Sequence, residues 1–157
     1  MARVIDASAA VALIVESPRT QTVRDIFSST AELAAPDILI AETTNAIWNH
    51  RRTSAFTAEA VGEFLERLCA NISIVSSSTL VREAYAIAME LNHPVYDALY
   101  LALAKRDAAQ IVTFDEYLVR KVAGTKYESL VLRPSLPSMT TNDSRPTSAG
   151  SRKDVLP

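Results

Sequence analysis

The chain has 157 residues, a formal net charge of −2, 48 % hydrophobic and 22 % charged residues, the balance of one soluble globular domain of ordinary size. A single cysteine, Cys69, excludes an intrachain disulfide and a multi-cysteine zinc site, and two histidines, His50 and His93, exclude a three-histidine metal site. The three glycines, Gly62, Gly124 and Gly150, are too scattered for a dinucleotide fingerprint or a P-loop, no G-x-S-x-G elbow can be written, and the charge does not suit a protein that coats nucleic acid by bulk attraction.

From the N-terminus, Arg3-Val4-Ile5-Asp6 is short, apolar and β-branched and predicts a buried strand. Arg3 before an apolar stretch echoes a signal peptide, but Asp6 interrupts it and no small-residue cleavage site follows. Alanine-rich Ala7–Glu16 predicts a helix ended by Ser17-Pro18, and Arg19–Ser29 a second with Val23, Ile26 and Phe27 on one side. Leu33–Ala35 predicts a short strand before Pro36, and Asp37–Arg52 a helix. Thr57 caps a helix over Thr57–Ala70 whose apolar face is Val61, Phe64, Leu65 and Leu68. Ile72–Val75 predicts a strand and Ser78–Leu91 a helix; Asn92-His93-Pro94 breaks it and starts the next, Val95–Arg106. Gln110–Phe114 predicts a strand, Asp115–Val122 a short helix and Leu130–Arg133 a last strand.

Strands that alternate with helices and read as nearly continuous apolar runs predict a three-layer α/β/α sandwich around a parallel sheet. From Ser135 the periodicity stops and Pro, Ser, Thr, Asn and Asp dominate, so the expected organisation is one domain over 1–134 and a disordered tail over 135–157. The longest apolar runs, Ala9–Val15 and Ala98–Ala104, fall well short of the ~20 residues that span a bilayer, which predicts a cytoplasmic protein without a membrane segment.

Four acids stand out. In an open parallel sheet, sites form at the carboxyl ends of strands, and Asp6 and Asp115 each follow a predicted strand. Capping the next helix is the plain alternative for either. Glu42 lies in the otherwise apolar start of its helix, with Asn45 at i+3 on the same face; Asp97 lies in the first turn of an almost wholly apolar helix, where it suits the dipole or faces a pocket. Four carboxylates meeting in one place repel and need a counter-charge. Oxygen-only ligands select Mg²⁺ or Mn²⁺ over zinc.

These residues resemble the motifs of PIN domains. Val4-Ile5-Asp6-Ala7-Ser8-Ala9 resembles their opening strand, Pro36-x-x-Leu39-x-x-Glu42-x-x-Asn45 their second motif, Tyr96-Asp97-Ala98-x-Tyr100-x-Ala102-Leu103-Ala104 their third and Thr113-x-Asp115-x-x-Leu118 their fourth, over about Arg3 to Leu132. The size resembles the toxin half of VapBC-type toxin–antitoxin pairs, and the tail has no expected counterpart. The resemblance implies a PIN-like fold and a Mg²⁺- or Mn²⁺-dependent endoribonuclease leaving 5′-phosphate and 3′-hydroxyl ends. It implies an acidic constellation of Asp6, Glu42, Asp97 and Asp115, with Asp6 and Asp97 foremost for metal contact, Asp115 completing the site and Glu42 ligating or orienting the attacking water. Ser8, Thr113 and Asn45 would support those carboxylates or the water from behind. Glu116 points elsewhere on its helix. The implied partners are RNA, a cognate antitoxin and a second copy of the chain, with the antitoxin groove partly on the first two helices.

RNA approaching an acidic pocket needs a basic rim. Arg51 and Arg52, at the end of the Glu42 helix, are the favoured contacts; Lys105-Arg106 reads rather as a solvated helix end, and Arg120-Lys121 is a further candidate. His50 and His93 read as surface or helix-end residues, and no mechanism needs them. Trp48 suits an anchor for a partner or the core. Two rivals stand beside the nuclease. A phosphoacceptor using Asp6 lacks its usual Asp-x-Asp or later lysine, and a catalytically silent RNA- or protein-binding scaffold would have no need of all four acids.

Overall fold

Five short parallel strands form the centre of the computed structural model, which describes residues 2–50 and 56–135. In chain order the elements are β1 (Arg3–Ile5), α1 (Ala7–Val11), α2 (Thr20–Ser29), β2 (Leu33–Pro36), α3 (Ile38–Asn49), α4 (Ala58–Asn71), β3 (Ser73–Val75), α5 (Val81–Leu91), α6 (Val95–Arg106), β4 (Gln110–Val112), α7 (Glu116–Val122) and β5 (Val131–Leu132). Apart from Ser135, the tail expected over 135–157 lies outside the described residues.

The sheet runs β3-β2-β1-β4-β5. Val4 is in register with Ala34 of β2 on one side and Ile111 of β4 on the other. The chain lays strands outward from β1 to β3, then crosses back over the sheet to place β4 on the far flank of β1. Right-handed crossovers then put α1 to α4 on one face and α5 to α7 on the other. The reversal opens a crevice at the carboxyl ends of β1 and β4, where ligands bind in such sheets.

The core explains why these segments sit inside. Val4, Ile5, Ile111 and Val112 are fully buried, and α6 is buried along the whole run Ala98–Ala104. That helix packs on β1, β2 and β4 below it and on α5 beside it. A run apolar on every side is what a helix enclosed by sheet and helix requires.

Several boundaries differ from the sequence reading. α1 stops at Val11 rather than Glu16; the β-branched pair Ile14-Val15 and the approach to Pro18 do not sustain it. α5 starts at Val81 rather than Ser78, because Ser77–Thr79 form a 3₁₀ turn. There the Thr79 hydroxyl donates to the Ser76 carbonyl at 2.8 Å, and the Ser76 and Ser78 hydroxyls meet at 2.9 Å, the side-chain competition that keeps such residues out of helix interiors. β4 stops at Val112, two residues before Phe114.

Candidate active site

The crevice at the switch point contains a cavity of about 220 Å³ lined by Asp6, Ser8, Glu42, Asn45, Asp97, Tyr100, Asp115 and Leu118. All four acids singled out in the sequence therefore face one space. β1 delivers Asp6, the turn after β4 delivers Asp115, and the opening turns of α3 and α6 deliver Glu42 and Asp97. Residues spread over 110 positions meet because β1 and β4 are sheet neighbours and α3 and α6 begin at the same sheet edge.

Asp6 is 7 % exposed and the most tightly held. Its Oδ1 accepts the Ala9 amide at 2.9 Å, so it caps α1, and the Ser8 hydroxyl at 2.7 Å; its Oδ2 accepts the Thr113 hydroxyl. Ser8 and Thr113 are themselves fixed from behind. The Ser8 Oγ accepts the Phe114 amide at 2.8 Å and the Thr113 Oγ1 accepts the Asp115 amide at 2.9 Å. Burial pushes the Asp6 carboxyl up to about 6, against the pull of its three donors and with a contribution from the charge of Asp115.

Asp115 caps α7. Its Oδ1 accepts the Tyr117 amide at 2.7 Å and the Leu118 amide at 3.3 Å, and among the described residues no donor reaches Oδ2. For Asp6 and Asp115, capping and pocket lining thus turn out to be the same arrangement. Glu42 is half-buried, and its Oε2 accepts the Tyr100 hydroxyl at 2.6 Å. Burial raises its carboxyl and the charge of Asp97 adds to that. Asp97 is likewise raised, chiefly by burial, with His93 opposing and Asp115 adding.

His93 corrects the sequence reading. It is buried, with Nε2 2.7 Å from Asp97 Oδ2 and its ring 5.1 Å from that of Tyr117. Nε2 stands close to that carboxylate, although neither ring nitrogen makes an aligned hydrogen bond among the described residues. The cause is local. Asn92 takes the left-handed conformation at φ 47° and the His93 amide bonds back to the Ala88 carbonyl at 3.1 Å, a Schellman ending that folds the next side chain against its own helix. Tyr100 was the other residue missed. Its i+3 spacing from Asp97 already put it on the acid's face of α6.

Of the basic candidates, Arg51 and Arg52 lie outside the described residues. Lys105 pairs with Glu83 at 2.5 Å and Arg106 with Asp107 at 2.7 Å, as solvated helix ends do; Arg120 approaches Glu116 at 3.6 Å. Glu116 also binds Arg133 at 2.8 Å and does not line the cavity. Trp48 is 57 % exposed and lines a surface groove between α3 and α4 rather than the core.

The donor set fits a hard divalent cation. Four carboxylates and an amide around one cavity offer oxygen ligands of the kind Mg²⁺ and Mn²⁺ take, and three of those carboxyls are raised by burial and by one another. Among the described residues no three acids close to the spacing of a finished metal cluster. The arrangement is a ring of acids around a space, not a closed cage.

The sequence and the fold are similar to those of known proteins. The profile of the PIN domain family matches residues 3–124. Ribonuclease VapC3 of Pyrobaculum aerophilum is 31 % identical over 124 residues, covering 77 % of this chain and 95 % of that protein. The crystal structure of PAE2754 from Pyrobaculum aerophilum superposes with a TM-score of 0.60 at 26 % identity, over 80 % of this chain and 90 % of that one. A toxin–antitoxin complex from Klebsiella pneumoniae shares the fold at 13 % identity, with a TM-score of 0.59 over 85 % of this chain and 98 % of its own.

Proposed function

The chain belongs to the PIN domain family, and on that premise we propose that it is a divalent-metal-dependent endoribonuclease and the toxin of a type II toxin–antitoxin pair. The observation that carries this reading is the meeting of Asp6, Glu42, Asp97 and Asp115 on one cavity at the carboxyl edge of the sheet.

In this reading Asp6, Asp97 and Asp115 hold Mg²⁺ or Mn²⁺, and Glu42 joins them or orients the attacking water. A divalent ion there would supply a water of lowered pKa, offset the charge of the phosphodiester and steady the leaving oxygen. The chain's own groups provide rigidity. Ser8 and Thr113 fix both oxygens of Asp6, the amides of α7 fix one oxygen of Asp115, and Asn45 offers an amide at the cavity wall. An unpaired carboxylate free to swing would lose the placement that such chemistry needs.

The antitoxin and a second copy of the chain belong to the same reading. A cavity of about 590 Å³, lined by Leu13, Phe27, Leu33, Phe64 and Leu68, lies between α2 and α4 where part of the antitoxin groove was expected. Val81, Tyr85 and Met89 form an exposed apolar line along α5 suited to self-association. No helix among the described residues is long and apolar enough to cross a membrane, in keeping with action on RNA in the cytoplasm.

The test is cleavage of single-stranded RNA by the purified protein in Mn²⁺, with and without EDTA. Cleavage is expected to need the metal. Asp6→Asn and Asp97→Asn are each expected to lower it by more than about 100-fold, since even partners one step behind a metal ligand cost about 10–100-fold. RNA binding without cleavage in Mn²⁺ would support the scaffold instead.

A further inference from the structure

Tyr100 is the one polar side chain in the buried run Ala98–Ala104. A phenylalanine would fill the same core volume, so packing explains the ring and leaves the hydroxyl unexplained. That hydroxyl lies at the cavity wall and meets Glu42 Oε2 at 2.6 Å, across from α6 to α3. We propose that Tyr100 is a positioning residue for the metal-dependent reaction, its hydroxyl holding Glu42 by Oε2 so that Oε1 is presented to the cavity.

Three features carry this assignment. Two acids of the four lack a backbone amide on the carboxylate: Asp6 and Asp115 are pinned by helix caps, whereas Asp97 sits against the buried His93 and Glu42 stands on a longer, flexible stem whose only hydrogen-bond donor among the described residues is this phenol. The bond is short and direct, a phenolic O–H donating to a carboxylate oxygen at 2.6 Å. The bond also spans two elements. It ties the start of α3 to the first turns of α6 above the sheet edge, making Glu42's place depend on α6, which carries Asp97.

The inference rests on the ribonuclease reading and is tested by a double-mutant cycle of Tyr100→Phe and Glu42→Gln, read in Mn²⁺ affinity by calorimetry as well as in kcat and KM on single-stranded RNA. Tyr100→Phe is expected to weaken Mn²⁺ binding and lower kcat, each about 10-fold or more, with KM for RNA within about twofold. In the Glu42→Gln background the same substitution is expected to change nothing further. Unchanged Mn²⁺ affinity and kcat in Tyr100→Phe overturns the proposal. So does an equal loss in both backgrounds, which would mean that Tyr100 acts elsewhere. Should the phenylalanine variant fail to fold in a thermal melt, Tyr100→Met repeats the removal of the hydroxyl with a flexible side chain. A wild type that binds Mn²⁺ but cleaves no RNA refutes the ribonuclease reading alone and leaves the metal-binding cycle to judge Tyr100.

Discussion

Asp6 carries three donors on its two oxygens, yet its pKa stands at about 6 against an ordinary 3.8, because burial outweighs them. The neutral carboxyl is therefore favoured in the fold. Its contribution to stability is fully present below the unfolded value and is lost as pH rises through about 6, which amounts to a penalty of about 3 kcal/mol once the group is ionised. Glu42 and Asp97 are raised in the same sense. Asp37 and Glu90 are lowered by hydrogen bonds, from Ser77 and from Lys126 respectively, so their contributions run the other way. Those two act only below about pH 4.5, where their unfolded forms gain protons. Between pH 7 and pH 5 the buried acids govern. In EDTA the protein is expected to gain stability over that interval, about 1 kcal/mol of it from Asp6. Asp6→Asn should flatten the gain and be the more stable protein at pH 7. Urea midpoints across the pH series decide it, and a wild type that weakens steadily from pH 7 to pH 5 would show that the donors outweigh burial.

Among the elements, the two long helices of the α5–α6 face end alike. After α5, Asn92 is left-handed and the His93 amide returns to Ala88; after α6, Ala108 is left-handed at φ 48° and the Ala109 amide returns to the Ala104 carbonyl at 2.9 Å. Asparagine tolerates that conformation, but alanine places its Cβ against a carbonyl at a cost of about 1–2 kcal/mol. Ala108→Gly removes the clash while giving back about 0.5–1 kcal/mol of chain entropy, so it is expected to stabilise by about 0.5–1 kcal/mol, seen as a higher Tm with unchanged metal binding. No change, or a fall, would mean that the turn relaxes without a Cβ penalty. These endings also show where the sequence was legible and where it was not. The apolar run of α6 and the β-branched strands announced themselves, because burial on every side leaves a pattern in neighbouring residues. Asn92-His93-Pro94 was readable as a break, but not that the break turns His93 inward onto Asp97. The Ser76–Thr79 turn displaced a helix start through side-chain bonds that periodicity does not record. Tyr100 stood in the third motif, but its bond to Glu42 was not legible there because that partner lies 58 positions away on another helix.

At the scale of the whole molecule, a chain of net charge −2 concentrates four carboxylates in a space of about 220 Å³, and its stability should depend on what shares that space with them. A ligand that binds the folded state alone stabilises it by about 2.7 kcal/mol at 100 times its dissociation constant. For a chain of about this length, each kcal/mol moves Tm by roughly 2–4 °C. Saturating Mn²⁺ is thus expected to raise Tm by about 5–10 °C over EDTA, and Mg²⁺ to do so at higher concentration if it binds more weakly. Asp97→Asn is expected to melt higher than wild type in EDTA, because an ionised, half-buried acid and its repulsion with Asp115 are gone even after the His93 contact is lost. In Mn²⁺ that order should reverse, because one ligand is missing. The crossing separates a specific site from general screening: NaCl at matched ionic strength relieves repulsion more in wild type than in the variant, which narrows their difference but does not invert their order. Parallel melting curves for the two proteins under all three conditions would mean that the acids share a cavity without sharing an ion.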